Sequence, residues 1–432
     1  MLISFRCRNF RSFLDEAELS MQATSDTELS ELNTFRINDG IVSKNDNEFI
    51  KSAIIFGSNA SGKTNILRAI KYMQLAVMLS FDQNRLKVIA NNEPFALEDD
   101  SDKKPTTFEV EFVQNNIYYK YGFELLEGKI SSEYLYKREE RISSIFERTG
   151  NTLRISKTPE QTTNLIKLSD TVLFLTAESN YNLPVSQYLH DAYTWFTELR
   201  IVFENNKNAL DIYTIKDGKY KKLALEILKK ADIGISDFEV VKNKISDDDI
   251  SRIPEPRSAF GGTARMIKHE NDSDSDYEID IKTKFDIRDR NDNIVGTKTA
   301  MLLKDSGFNS EGTVRLIFYL GWILEALDEG RTILIDEIDS KLHFLVADYL
   351  IGIFNSIDRN PNNAQLICTA HNVMLMDEDL RRDQIYFTCK DSMGRSSIIS
   401  LADYKGVRKN DLFSKKYLAG FFTDLPDLGI SN

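Results

Sequence analysis

Gly57-Ser58-Asn59-Ala60-Ser61-Gly62-Lys63-Thr64 brackets a short run with two glycines and ends it on a lysine and a hydroxyl. Residues in this pattern let consecutive backbone N–H groups curl around phosphate oxygens, the glycines permitting the curl. The Lys63 ammonium would then reach the β- and γ-phosphates of a nucleotide, and the Thr64 hydroxyl a magnesium ion. Far down the chain, Thr332-Ile333-Leu334-Ile335-Asp336-Glu337 sets two carboxylates at the end of an apolar run. A buried strand there would carry Asp336 towards the metal. Glu337, beside the γ-phosphate, could orient or deprotonate an attacking water.

These groups need elements to hold them. Ser52-Ala53-Ile54-Ile55-Phe56 reads as a buried strand, and Ile66, Leu67, Ile70, Met73, Leu75 and Val77 recur at helical spacing, so the loop joins a strand to a helix. Met1 to Phe13 alternates as a half-buried strand does. Phe108 to Tyr136 has the pattern of antiparallel hairpins with an Asn115-Asn116 turn. Helices are expected over Gln187–Phe203, with Leu189, Tyr193, Phe196, Leu199 and Val202 as the apolar set, and over Tyr220–Ala231, together an insertion. Ser246–Asp280 is acidic and broken by Pro254, Pro256, Gly261 and Gly262, which reads as a mobile loop, and a hairpin is expected about Asp289–Asp292. Buried-strand runs follow at Thr332–Ile335, Gln365–Thr369, Gln384–Thr388 and Ser396–Ser400, with a helix over Lys341–Ile353. Strands alternating with helices indicate an α/β core. The expected division is 1–180 with the loop and hairpins, 181–245 helical, 246–305 acidic loop and hairpin, and 306–432 with the second half of the site.

Gly307-Phe308-Asn309-Ser310-Glu311-Gly312-Thr313 precedes a long apolar helix, Val314–Leu327, and a serine and glycine at a helix start form an anion-binding end. Asp339-Ser340 follows the acidic strand end, and His371 closes the strand run Gln365–Ala370, where an imidazole can reach a γ-phosphate. His190, His269 and His343 read as structural.

In this order, the loop, Ser310-Glu311-Gly312-Thr313, Asp336-Glu337, Asp339-Ser340 and His371 resemble the loop, signature, Walker B, D-loop and switch histidine of ABC-type ATPases, the RecF, SMC and OLD proteins among them. Arg8-Asn9-Phe10-Arg11-Ser12-Phe13 is similar to the first strand of that group. Leu173–Ala177, Asp336–His343 and Leu380–Phe387 resemble its stand-alone bacterial members from abortive-infection and anti-phage operons, of the RloA, AbiL and PARIS ATPase-subunit type. The resemblance implies an α/β fold: a P-loop ATPase head with a split nucleotide-binding domain, an antiparallel β lobe and a helical insertion. It implies ATP and Mg2+ as ligands, Lys63, Asp336, Glu337 and His371 as the catalytic set, and Thr64 and Asp336 as metal ligands. Gly57, Ser58, Asn59, Ala60, Ser61, Gly62, Lys63, Thr64 and Asn65 would bind the nucleotide with Ser310, Gly312 and Asp339. In that family the signature of one subunit closes over the nucleotide of another, so a homodimer or higher homo-oligomer is expected. A separately encoded effector, a nuclease or toxin, would be controlled by ATP turnover.

The alternative is a DNA-binding repair ATPase of the RecF kind. A non-hydrolysing scaffold is a third reading, against which Glu337 argues. The chain beyond His371 is too short for the Toprim nuclease of OLD proteins, and SMC-like heptad arms are missing. No glutamine is identified for the family's Q-loop, Gln114 falling in a hairpin turn.

A hydrophobic share of 41% suits a buried core, and the net charge of −12 disfavours general nucleic-acid binding without excluding a local basic face. Between Arg381 and Lys416 basic residues outnumber acids nine to four, the one candidate for such a face. Cys7, Cys368 and Cys389 are too far apart in sequence for a zinc or disulfide pattern. Neither a signal peptide nor a membrane span is legible, and a cytoplasmic protein is expected.

Overall fold

The computed structural model describes the chain apart from residues 39, 43–46, 81–87, 178–181, 204–212, 214–217, 232–233, 245–276, 304–308, 408–410 and 423–432. The chain opens with β1 (Leu2–Arg8), β2 (Ala17–Ser20), the small pair β3 (Thr34–Arg36) and β4 (Glu48–Ile50), and β5 (Ser52–Gly57), which runs into helix Lys63–Leu79. An antiparallel series follows: β6 (Thr106–Gln114), β7 (Ile117–Leu126), β8 (Lys129–Arg138), β9 (Ile142–Thr149) and β10 (Thr152–Ile155). Helix Ser186–Glu198 leads into β11 (Arg200–Val202), and helix Lys219–Lys230 into β12 (Ile235–Lys244), β13 (Tyr277–Arg288) and β14 (Ile294–Met301). The remainder alternates helix Glu311–Glu329, β15 (Thr332–Ile335), helix Phe344–Asn355, β16 (Gln365–Thr369), β17 (Ile385–Lys390) and β18 (Ser396–Ser400).

Two sheets dominate. One is antiparallel, in the order β10-β9-β8-β7-β6-β1-β2; the other runs β11-β15-β16-β5-β17-β18 and is parallel except at β18. Strands buried on both faces read as unbroken apolar runs, and successive side chains point to opposite sides. Ala53 and Ile55 of β5 therefore join the core shared with helix Lys63–Leu79 and the antiparallel sheet, while Ile54 and Phe56 join the core of helices Glu311–Glu329 and Phe344–Asn355. Leu334 and Ile367 continue the first set, Ile333, Ile335, Leu366 and Cys368 the second. The fold is thus mixed α/β, with a mostly parallel sheet and a large antiparallel lobe. Among the described residues no helix is long and apolar enough to cross a membrane.

The Asn115-Asn116 turn has both residues left-handed, φ 50° and 60°, a conformation that asparagine tolerates and that suits the twist of a tight hairpin. Several boundaries differ from expectation. The helix expected over Gln187–Phe203 stops at Glu198, where Leu199 turns extended (φ −65°, ψ 125°), and Arg200–Val202 pair in parallel with β15 instead. Leu199 and Val202 are apolar because they fill a sheet edge, a role that helical spacing mimics. The opening strand ends at Arg8, because Asn9 and Arg11 adopt φ 51° and Phe10 bridges back to Phe13. The helix expected from Lys341 starts at Phe344, after a left-handed Lys341 (φ 63°). The hairpin at Asp289–Asp292 is present between β13 and β14, whereas most of the acidic stretch Ser246–Asp280 lies outside the described residues; its end, from Tyr277, is strand.

Candidate active site

At the end of β5 the chain turns through the glycine-framed loop into helix Lys63–Leu79. A Cβ on Gly57 would come within 2.4 Å of Thr388 Oγ1 and 2.6 Å of the Thr388 carbonyl, so only glycine fits beside β17. Gly62 combines φ 118° with a close approach to the Ser396 side chain on β18, 2.7 Å from a Cβ to Oγ. Ser61 and Thr388 share a 2.6 Å hydroxyl–hydroxyl bond, which ties the loop to β17. The Lys63 ammonium donates to the carbonyls of Gly57 (2.8 Å) and Ser58 (3.1 Å). Burial lowers the Lys63 pKa, with Glu337, Asp336 and Asp339 acting in the opposite sense. Asn65 donates to Ser12 Oγ at 2.8 Å, and the Ser12 carbonyl accepts from Ser396 N, so the opening turn braces the loop.

The acidic end is assembled one strand away. β16 lies between β5 and β15, and Thr369 at its tip faces the residues that follow Ile335. Asp336 Oδ1 accepts from Thr64 Oγ1 (3.1 Å) and from Thr369 Oγ1 (2.8 Å). The Thr369 hydroxyl in turn accepts from Glu337 N at 2.7 Å. Burial raises the Asp336 pKa, opposed by the hydrogen bonds from Thr369 and Thr64. Glu337 is left-handed, φ 50°, and its Oε1 lies 3.3 Å from His371 Nε2. Asp339 Oδ2 accepts from the backbone N–H groups of His371 (2.8 Å) and Asn372 (2.5 Å). The loop, both carboxylates, Asp339 and His371 are therefore gathered at one end of the parallel sheet.

Ser310 caps helix Glu311–Glu329, accepting from Thr313 N at 3.1 Å, so the helix begins three residues earlier than the apolar run suggests. Gly307 and Phe308 lie outside the described residues. Gly312 faces the turn that ends at Lys341: a Cβ there would lie 2.5 Å from the Lys341 carbonyl. Lys341 also pairs with Glu311. Gly312 thus packs against the turn after Glu337, Ser310 bonds within its own helix start, and among the described residues no hydrogen bond joins either to Gly57–Thr64.

Three contributors were missed: Thr369, Arg315 and Tyr319. Arg315 Nε donates to Tyr319 Oη (2.7 Å) and its Nη1 to Ser340 Oγ (2.9 Å). Tyr319 Oη lies 3.4 Å from the carbonyls of Asp336 and Glu337. Burial pushes the Tyr319 phenol up to about 12, so it remains a donor. A signal existed for the pair, since a charged and a phenolic residue four apart inside an apolar helix require partners.

The other histidines fall where structural roles place them. His343 caps helix Phe344–Asn355 by accepting from Leu345 N, His190 neighbours Thr194 on its own helix, and His269 lies outside the described residues. Gln114 ends β6 and donates to Glu198. The candidate basic face loses its first member. Arg381 is 1% exposed, forms a two-pronged pair with Asp383 (2.9 and 2.7 Å) and donates to the carbonyls of Asp26 and Glu28. Arg382 is engaged with Asp26, and Arg408 and Lys409 lie outside the described residues.

The donor set fits a nucleotide with magnesium. Mg2+ keeps several waters and is held by one or two carboxylates plus phosphates, and Thr64 and Asp336 converge as a hydroxyl and one carboxylate. Among the described residues no group of three or more His, Cys, Asp or Glu side chains gathers that could hold a metal without such help.

The chain is similar to the SMC head domain from Thermotoga maritima, at 14% identity and a TM-score of 0.38, over 92% of this chain and 98% of that one. No curated protein matches it significantly. Residues 52–377, spanning the loop, Ser310–Thr313, both carboxylates and His371, match the family described as "AAA domain, putative AbiEii toxin, Type IV TA system", and the chain belongs to that family of P-loop ATPases.

Proposed function

We propose that this protein binds and hydrolyses ATP with Mg2+ at the end of the parallel sheet, and that this turnover regulates a separately encoded toxic effector in an anti-phage defence system. The observation that carries the hydrolytic reading is the chain of bonds from Thr64 through Asp336 and Thr369 to Glu337, which sets one carboxylate beside the loop and the next at hand for a water. Bound magnesium would offset charge on the phosphates. Lys63, drawn off the Gly57 and Ser58 carbonyls, would hold phosphate oxygens, and Glu337 would take the proton of the attacking water. His371, beside Glu337, would steady that carboxylate and reach the terminal phosphate.

Ser310 and Gly312 open a helix whose start has no hydrogen bond to Gly57–Thr64 among the described residues, which supports a composite site closed by a second copy of the chain. Control of an effector follows from the resemblance to abortive-infection ATPases and is supported by the toxin–antitoxin wording of the family's description. A few kcal/mol of differential affinity between the ATP-closed and open dimer suffices for such control.

The test compares wild type with Lys63→Ala, Glu337→Gln and Ser310→Arg for ATP turnover, nucleotide binding and, in cells carrying the neighbouring gene, phage-dependent growth arrest. Expected outcomes are lost turnover in Lys63→Ala, bound ATP with only residual hydrolysis in Glu337→Gln, and binding with impaired turnover in Ser310→Arg. Protection that survives both Lys63→Ala and Glu337→Gln would remove the regulatory reading. ATP-dependent, salt-sensitive duplex binding would instead favour the DNA-repair alternative.

A further inference from the structure

Helix Glu311–Glu329 is almost entirely apolar where it crosses the parallel sheet, yet it carries Arg315 and Tyr319 inward, 8% and 2% exposed. Four residues apart, they lie one turn above the other on one face of the helix. Both reach the same target. Arg315 donates to Ser340 Oγ and to Tyr319 Oη, and Tyr319 approaches the carbonyls of Asp336 and Glu337. That target is the turn Glu337–Ser340, closed by a 3.0 Å bond from Ser340 N to the Glu337 carbonyl.

Glu337 enters this turn in the left-handed region, which a non-glycine residue keeps only where its surroundings hold it. Its N–H is held by Thr369 from one side. On the other side the grip comes from the helix that begins at Ser310. We propose that Arg315 is a positioning residue for Glu337: its guanidinium clamps Ser340 and aligns Tyr319 against the turn, and so fixes where the Glu337 carboxylate points. The inference rests on Glu337 acting as the base. A guanidinium suits this task because its rigid fork serves two acceptors at once, which a single ammonium on a flexible stem does not reproduce.

A brace that merely stabilised the fold would affect turnover in any background, whereas a group that acts through the base loses its effect once the base is gone. The experiment therefore places Arg315→Lys and Tyr319→Phe in wild type and in Glu337→Gln, and measures kcat, KM, fluorescent-nucleotide affinity and thermal melting of the full chain. The expected result is a kcat loss of about tenfold or more for Arg315→Lys in wild type, with nucleotide affinity within about twofold, and no further loss in Glu337→Gln. Tyr319→Phe, which deletes only the hydroxyl, should follow the same pattern with a smaller loss and decides the matter if Arg315→Lys does not fold. Unchanged kcat in these variants of an active wild type, or equal losses in both backgrounds, overturns the positioning role alone. A wild type without ATPase activity, or a fully active Glu337→Gln, overturns the hydrolytic reading and this inference with it.

Discussion

The Thr64 hydroxyl donates a 3.1 Å hydrogen bond to Asp336 Oδ1 across 272 residues of chain. The two halves of the site thus meet at one carboxylate oxygen, and Thr369 is the third party to that contact. Thr369→Val keeps the shape of the side chain but deprives Asp336 of a donor and Glu337 N of its acceptor. A loss of about 1–3 kcal/mol in denaturant unfolding is expected, with a larger proportional loss of turnover than of nucleotide affinity. Wild-type activity in this variant would show that the bond is incidental.

Asp336 makes a prediction with a defined sign. Its carboxyl pKa is raised in the folded chain, by burial first. Its favourable contribution is therefore complete below the unfolded-state pKa and disappears as pH rises through the folded-state one, so at neutral pH the ionised group costs stability. Asp336→Asn should melt at the same temperature as wild type or higher without nucleotide, and should lose the additional stabilisation conferred by ATP and Mg2+. Thermal scans at neutral pH, with and without both, check it.

Lys63 carries the mirror-image expectation. Burial lowers its pKa, so its contribution is present above the unfolded-state pKa and lost as pH falls through the folded-state one, leaving the ammonium a cost at neutral pH. Lys63→Met is expected to leave the unliganded melting temperature unchanged or raised while abolishing its rise with ATP concentration. A marked fall in the unliganded melting temperature would point to a structural lysine.

Gly312→Ala tests the approach of helix Glu311–Glu329 to the turn at Lys341. The new Cβ would lie 2.5 Å from the Lys341 carbonyl, backbone that cannot swing aside as a side chain could. Overpacking of this kind costs about 1–3 kcal/mol. The helix start should shift and turnover fall, while Gly352→Ala, which meets nothing within 4 Å, should leave turnover unchanged.

Arg381→Ala should destabilise the chain by about 3–5 kcal/mol, because it leaves the buried Asp383 carboxylate without its cation, with only Thr24 still donating to it. Urea unfolding measures this. The same substitution should not alter any affinity for duplex DNA in the fraction that remains folded.

The loop was legible in the sequence because its chemistry is local: glycine spacing, lysine and threonine occupy eight consecutive residues. β15 and β16 were legible because strands buried on both sides write unbroken apolar runs. β11 was not, since Leu199 and Val202 satisfy helical spacing and sheet burial equally well. β12 was missed because its exposed face carries charges such as Asp237 and Glu239 among the apolar positions. Arg381 looked like surface because its partners, at Asp26 and Glu28, are more than 350 residues away in sequence. Thr369 was hidden because the two carboxylate residues it bonds, Asp336 and Glu337, lie 33 and 32 residues earlier and follow a different strand. Burial of a polar side chain is a property of the assembled elements, and no single segment records it.

The placement of β5 between β16 and β17 has a consequence for biosynthesis. Both sheet neighbours of the loop strand lie beyond residue 364, so a growing chain carries Ser52–Gly57 unpaired while more than 300 further residues are made. At about 5–20 residues per second that interval is on the order of 15–65 s. For most of it Ile54 and Phe56 have no helix Glu311–Glu329 to pack upon, and to its end Thr388 is not yet there to hold Ser61. A ribosome-bound intermediate therefore cannot engage ATP. Nucleotide capture at this site requires residues up to Thr388, so a chain cut short before them is silent from the outset.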